Sequence, residues 1–204
     1  MTKTELLNRC AQSGEERLLL ARVLDRLETA RQRNIPAHTG FLSPQQRAAV
    51  EGLLQAAGNP RHLFTGGFDG AERCICAFLP DWMEEEDFLA DPEGPICALR
   101  CTFPADSGLS HRDFLGAILG LGLDREKIGD LLVDRESCQI LLLRELEEFL
   151  LLHLDQAGRV RLKLAPCPLD QLNPPAPQVK EIRDTVSSLR LDAVAASGFS
   201  LSRG

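Results

Sequence analysis

Ser110-His-Arg-Asp-Phe-Leu-Gly-Ala-Ile-Leu-Gly-Leu-Gly-Leu-Asp-Arg-Glu-Lys-Ile-Gly-Asp130 contains one helix with its start and stop written in, then the opening of a strand. Ser110 stands at the cap position with Asp113 three residues on, and the glycines at 120 and 122 close the helix. Upstream, Ile96 to Phe103 is an apolar run of strand length. Downstream, Ile128 to Val133 and Cys138 to Leu143 are two strands joined by the polar turn Asp134-Arg-Glu-Ser137. Glu145 to Gln156 reads as a second helix, ended by Gly158, and Val160 to Leu164 as the last strand. The order β-α-β-β-α-β is that of a ferredoxin-like, RRM-like α/β plait over 71–165, with Arg73 to Leu79 as an added strand.

Before the plait, residues 1–70 read as a helical region. Ser13-x-x-Glu16 is a capping box ahead of Leu20, Val23, Leu24 and Leu27 at helical spacing. Ser43-Pro44 starts another helix whose stripe is Val50, Leu53, Leu54 and Ala57, and Thr65-Gly-Gly-Phe-Asp-Gly70 is a turn-rich connection. After the plait, residues 166–178 are a proline-rich linker of extended, semi-rigid backbone. The fold class expected is therefore α+β.

A net charge of −7 at pH 7 sets this chain apart from ordinary nucleic-acid binders, because phosphate affinity comes from clustered Lys and Arg. The acidity is local, with Glu84, Glu85, Glu86 and Asp87 in one run. No apolar run is long enough to span a bilayer, and the N-terminus lacks a signal-peptide core, so a cytoplasmic location is expected. Seven cysteines at irregular spacing argue against a secreted disulfide framework and lack metal-ligand spacing, so buried reduced thiols are expected.

Few groups here are arranged for chemistry. There is no P-loop, no dinucleotide fingerprint and no nucleophile elbow, so no cofactor, no metal, no small-molecule substrate and no catalytic residue are expected. Gly116 and Gly120 are expected to let their helix pack closely on the sheet, and His153 to sit on the apolar side of its helix. Along the last strand Arg159, Arg161 and Lys163 alternate with Val160, Leu162 and Leu164, which puts three cations on an open sheet face or edge. His111 and Arg112 stand at a helix start, where unpaired N–H groups attract anions, and Arg125 and Lys127 follow the end of the same helix. These seven residues are the plait-side candidates for phosphate contact. The bland alternative is a set of solvated surface charges. The expected central strands carry no aromatic residue and the chain no Tyr, so stacking of bases on the sheet is not expected.

The segment 110–130 is very similar to the signature of the YlmH family of S4-domain proteins associated with the ribosome. Phe41-Leu-Ser-Pro44, Gly66-Gly67 with Ala71-Glu72-Arg73, and Thr185-Val-Ser-Ser-Leu-Arg-Leu-Asp192 fit in the same order. Arg190-Leu-Asp192 and Leu201-Ser-Arg203 resemble the opening of an S4 RNA-binding domain at 179–204. A segment that short cannot bury a core of its own, so the S4 module is expected to be incomplete here. The resemblance implies a non-enzymatic protein that binds rRNA and tRNA on the large ribosomal subunit and acts on stalled translation. It would place S4-side contacts on Arg190, Ser202 and Arg203. Two other functions stay open: a protein-interaction scaffold using the acidic N-terminal half, and an RNA-modifying enzyme subunit.

Overall fold

The computed structural model describes residues 1–174. Three helices and three short strands make the N-terminal part: α1 (Lys3–Cys10), α2 (Gly14–Arg33), β1 (Ala37–His38), α3 (Pro44–Ala56), β2 (Leu63–Thr65) and β3 (Ile75–Phe78). The helix starts are where the caps place them. The Ser13 hydroxyl accepts the Glu16 N–H at 3.1 Å, and Ser43 and Gln46 form a reciprocal capping box with Pro44 just inside. Asn34, at φ 54°, ends α2 in the left-handed conformation.

Eight further elements follow: α4 (Glu85–Ala90), β4 (Ile96–Thr102), α5 (His111–Gly120), β5 (Ile128–Val133), β6 (Ser137–Leu143), α6 (Glu147–His153), β7 (Gln156–Ala157) and β8 (Val160–Arg161). The last strand is β9 (Lys163–Cys167). The large sheet is antiparallel throughout in the order β5-β6-β4-β9, so each β-α-β pair is split by a strand of the other. This is a mixed α+β architecture. Ile96 to Leu99 of β4 and Ile140 to Leu143 of β6 are buried on both faces, which is why they read as unbroken apolar runs instead of alternating ones.

Three apolar clusters join four layers. Phe114 and Ile118 of α5, with Leu146 and Leu150 at α6, pack on Leu99, Cys101 and Ile140 of the large sheet. On the other side α1, α2 and α3 pack on Cys76 and Phe78 of β3. Between the sheets, Phe41, Ile75, Ala77 and Phe88 press on Ile96, Ala98, Leu141 and Leu143. The small sheet therefore covers much of what the sequence predicts to be an open face of the plait. β3 also pairs with β1 and β2, so a boundary at residue 70 falls inside a sheet, and residues 1–174 cluster as one unit.

The turn at Gly66-Gly67 is the contact point of the two sheets. A Cβ at Gly66 would lie 2.3 Å from the Arg73 carbonyl oxygen, and Gly67, at φ 94°, approaches Leu141 so closely that a Cβ would sit 2.7 Å from it. Beside it, Asp130 of β5 accepts the backbone N–H groups of Glu72 and Arg73 at 2.7 and 3.1 Å. The Arg73 guanidinium donates to Ile128 O at 3.1 Å and to Phe41 O at 2.8 Å.

The C-terminal end of the plait departs from its expected form. The strand predicted at 160–164 is two strands: β8 turns back on β7 through Gly158, and the chain then enters the sheet as β9, with Lys163 opposite Thr102 and Cys167 opposite Ala98. Pro166 and Cys167, predicted as linker, are part of that strand. Beyond them the chain crosses the sheet face: Gln139, 3 % exposed, donates to Gln171 O at 2.9 Å and accepts the Asn173 N–H at 2.8 Å. Proline content disfavours helix and central strand, but Pro166 suits an edge strand, which β9 is. The remaining linker and S4 residues lie outside the described ones.

Three smaller corrections follow from burial and extent. The acidic stretch expected as loop contains α4. The second plait helix is shorter, opening with a 3₁₀ turn at Arg144–Leu146, and His153 is exposed, stacked on Phe149 at 4.3 Å. Gly116 and Gly120 lie on the solvent side, where an added Cβ meets nothing within 4 Å. Close packing does not explain them. Replacing Gly116 by alanine should therefore stabilise the protein by about 0.5–1 kcal/mol, read as a rise in thermal midpoint.

The cysteines are free, and all but Cys10 are buried. Burial pushes the thiols of Cys76, Cys97 and Cys101 up to about 12, and that of Cys138 up as well. At neutral pH they hold almost no thiolate. A thiol reagent applied to the folded protein should label Cys10 rapidly and the other six only on unfolding, read by mass spectrometry.

Candidate nucleic-acid interface

Two ends of the large sheet's second face differ in chemistry. Paired residues on neighbouring strands share a face, so Ile96, Ala98, Arg100 and Thr102 of β4 line up with Leu143, Leu141, Gln139 and Ser137 of β6. The first two rows are apolar and covered by the small sheet. The last two are polar. Lys163 of β9 extends the Thr102 row and Ala165 the Arg100 row, around a shallow hollow of about 280 Å³. The Arg100 guanidinium is partly held there, donating to Gln171 O at 3.1 Å.

The β7–β8 hairpin leads into this end. Its turn, Gly158-Arg159, carries Arg159 at the tip, and Arg161 follows opposite Gln156. Arg159, Arg161 and Lys163 are exposed, while Leu162 between them is buried against the α5 side of the sheet. The alternation read from the sequence holds through the break between strands. None of the three cations pairs with a carboxylate among the described residues. β9 is the sheet edge and adds unpaired backbone groups alongside them.

The other candidates divide. His111 and Arg112 are exposed at the start of α5, which packs beside β7. The helix start is already served from within, since Asp113 accepts the Ser110 N–H at 2.8 Å and its hydroxyl at 2.6 Å. Those bonds hold the Asp113 carboxyl below its usual range, so this end carries its own anion.

Arg125 is committed to backbone carbonyls of its own turn, whereas Lys127 is paired at the surface. Arg125 donates to the carbonyls of Ile128 and Gly129, and burial followed by the nearby Arg73 charge lowers its pKa. Lys127 pairs with Glu145 at 2.9 Å. Sequence spacing does not reveal the Lys127 partner, because Glu145 follows the β5–β6 hairpin and is brought back by strand pairing. Arg100 and Thr102 are the site residues that the sequence reading missed. A lone Arg in the apolar run Ile96-Cys-Ala-Leu-Arg-Cys101 was the available signal. Arg190, Ser202 and Arg203 lie outside the described residues.

The stretch that holds this surface is also the one a family model matches. Residues 101–171 match the model described as a putative RNA-binding domain in YlmH. The chain is 36% identical over 163 residues to ribosome-associated protein quality control protein P2 of Bacillus subtilis (strain 168). The chain belongs to the YlmH family. That alignment covers 78% of this chain and 60% of the Bacillus protein, so the chain spans less than two thirds of its relative. A solved structure of the cell division protein ylmH from Streptococcus pneumoniae shares the fold, with a TM-score of 0.64 at 23% identity. It covers 80% of this chain and 98% of that one. Gly67, Arg73 and Asp130, within the segments that resemble the family, make contacts at the joint between the sheets, whereas Arg159, Arg161 and Lys163 lie outside those segments. No helix among the described residues is long and apolar enough to cross a membrane.

Proposed function

We propose that this YlmH-family chain is a non-enzymatic RNA-binding protein of the large ribosomal subunit, acting on stalled translation. The observation that carries this reading is the cluster of Arg159, Arg161 and Lys163. These cations are exposed, unpaired among the described residues, and contained in the segment matched by the RNA-binding family model. Their target is the phosphate backbone, because the exposed polar end offers cations and hydroxyls and no aromatic ring. Shape and charge, not base identity, set recognition there. Arg100, Thr102, His111 and Arg112 give weaker, flanking contacts. The name of the Bacillus relative, a ribosome-associated protein quality control protein, supports the ribosome as the partner, and ribosomal and transfer RNA are the ligands the family resemblance implies. Arg190, Ser202 and Arg203 would add the S4-side contacts.

Co-sedimentation with purified large ribosomal subunits tests the reading. The chain should pellet with the subunits at low salt and be released as salt rises. A form extended through a complete S4 domain should hold to higher salt. Failure of both forms to pellet at any salt removes the ribosome from the account.

A further inference from the structure

A cleft on another part of the described surface has the opposite chemistry to the cationic hairpin. It holds about 770 Å³ beside the Gly66-Gly67 turn, a volume in the range of ligand-binding clefts. Phe64 and Leu169 contribute apolar surface, and Leu89 of α4 stands at the wall 52 % exposed. Asp69, Asp91 and Asp170 also line it; all three are exposed and none forms an ion pair among the described residues. The single cation in the lining, Arg47, is already neutralised by Glu51 at 2.8 Å and lies over the Phe64 ring at 4.8 Å. Glu85, Glu86 and Asp87 in the first turn of α4 add to the negative potential.

We propose that this cleft is a docking site for a basic protein segment carrying an apolar anchor. Three unpaired aspartates repel a phosphate backbone, so RNA does not fit. A purely apolar occupant would take those carboxylates from water without pairing them. A cationic segment with a Leu or Phe between its basic residues satisfies both halves of the lining: the anchor against Leu89, Phe64 and Leu169, the charges at the aspartate rim. The molecule then has two poles, a cationic edge for RNA and an acidic cleft for protein, which accounts for a net charge of −7 on an RNA-binding chain.

The test is fluorescence anisotropy with a short labelled peptide in which lysine alternates with leucine, titrated with the full chain. Asp69→Asn, Asp91→Asn and Asp170→Asn are combined in one variant, and Leu89→Ser is a second. A third carries Glu15→Gln, Glu28→Gln and Glu148→Gln, removing equal charge away from the cleft and from α4; every substituted residue is exposed, so the fold is kept. The cleft variant should weaken binding about tenfold or more. Leu89→Ser should weaken it several-fold, and the outside variant should leave it near the parent value. Equal losses in the cleft and outside variants would overturn the proposal, as would binding of labelled oligouridylate that the cleft variant weakens. Displacement by spermidine with no effect of Leu89→Ser would assign the cleft to a small polyamine and overturn it too. The readout contains no ribosome, so it stands or falls separately from the RNA reading.

Discussion

Replacing Phe41 by alanine should destabilise the protein by about 3–5 kcal/mol, the cost of deleting a buried aromatic ring. Phe41 is 1 % exposed and sits in the cluster between the two sheets. Its ring approaches Gly129 so closely that a Cβ there would lie 2.8 Å from it. Its N–H donates to Glu126 O at 2.5 Å and its carbonyl accepts from Arg73. The ring therefore fills space contributed by both the N-terminal part and the plait. No nearby side chain is free to collapse into the cavity, since Ile75 and Leu141 are fully buried and already packed there. In urea, the variant should unfold at lower concentration in one cooperative transition by both fluorescence and circular dichroism. A plait that unfolds at its original midpoint after the N-terminal part has melted would contradict the single layered core.

The second large effect concerns binding. Arg159→Glu, Arg161→Glu and Lys163→Glu together should abolish most retention on large subunits at moderate salt while leaving the thermal midpoint almost unchanged. All three side chains are exposed and unpaired among the described residues, so reversing them removes no internal ion pair. Each phosphate contact contributes roughly one to the slope of log affinity against log salt. Losing three should flatten that slope by about 3. Arg125→Ala is the contrasting variant. It leaves the Ile128 and Gly129 carbonyls without that donor and should lower stability by about 1–3 kcal/mol with little change in slope. Loss of binding in Arg125→Ala at unchanged stability would reverse these assignments.

The plait strands and helices were legible because each carries a local signature: caps at Ser110 and Asp113, apolar runs at 96–102 and 138–143, and a charged turn at 134–136. The cationic alternation from 159 to 164 was legible for the same reason, since side-chain direction alternates whether the backbone forms one strand or two. What was not legible depends on pairing across long sequence separations. Two residues at 37–38 and three at 63–65 carry no strand period, and they become strands only because β3 lies between them. The covering of the sheet's second face depends on Phe41 and Phe88, whose sequence neighbourhoods resemble a loop and an acidic run. Gln139, inside the apolar strand run 138–143, holds the crossing chain through Gln171 and Asn173, a contact more than thirty residues away in sequence. Arg125 was a plausible phosphate ligand by type, and only its bonds to the Ile128 and Gly129 carbonyls commit it elsewhere, while Lys127 shares its charge with Glu145 at the surface.

Ultraviolet crosslinking of the bound protein to RNA on large ribosomal subunits, with the crosslinked peptides mapped by mass spectrometry, tests the central claim most directly. Crosslinks in the described residues should concentrate at Arg100–Thr102 and from Arg159 to Ala165. Crosslinks confined to Leu63–Ala71 and α4, with none on the hairpin or β9, would contradict it.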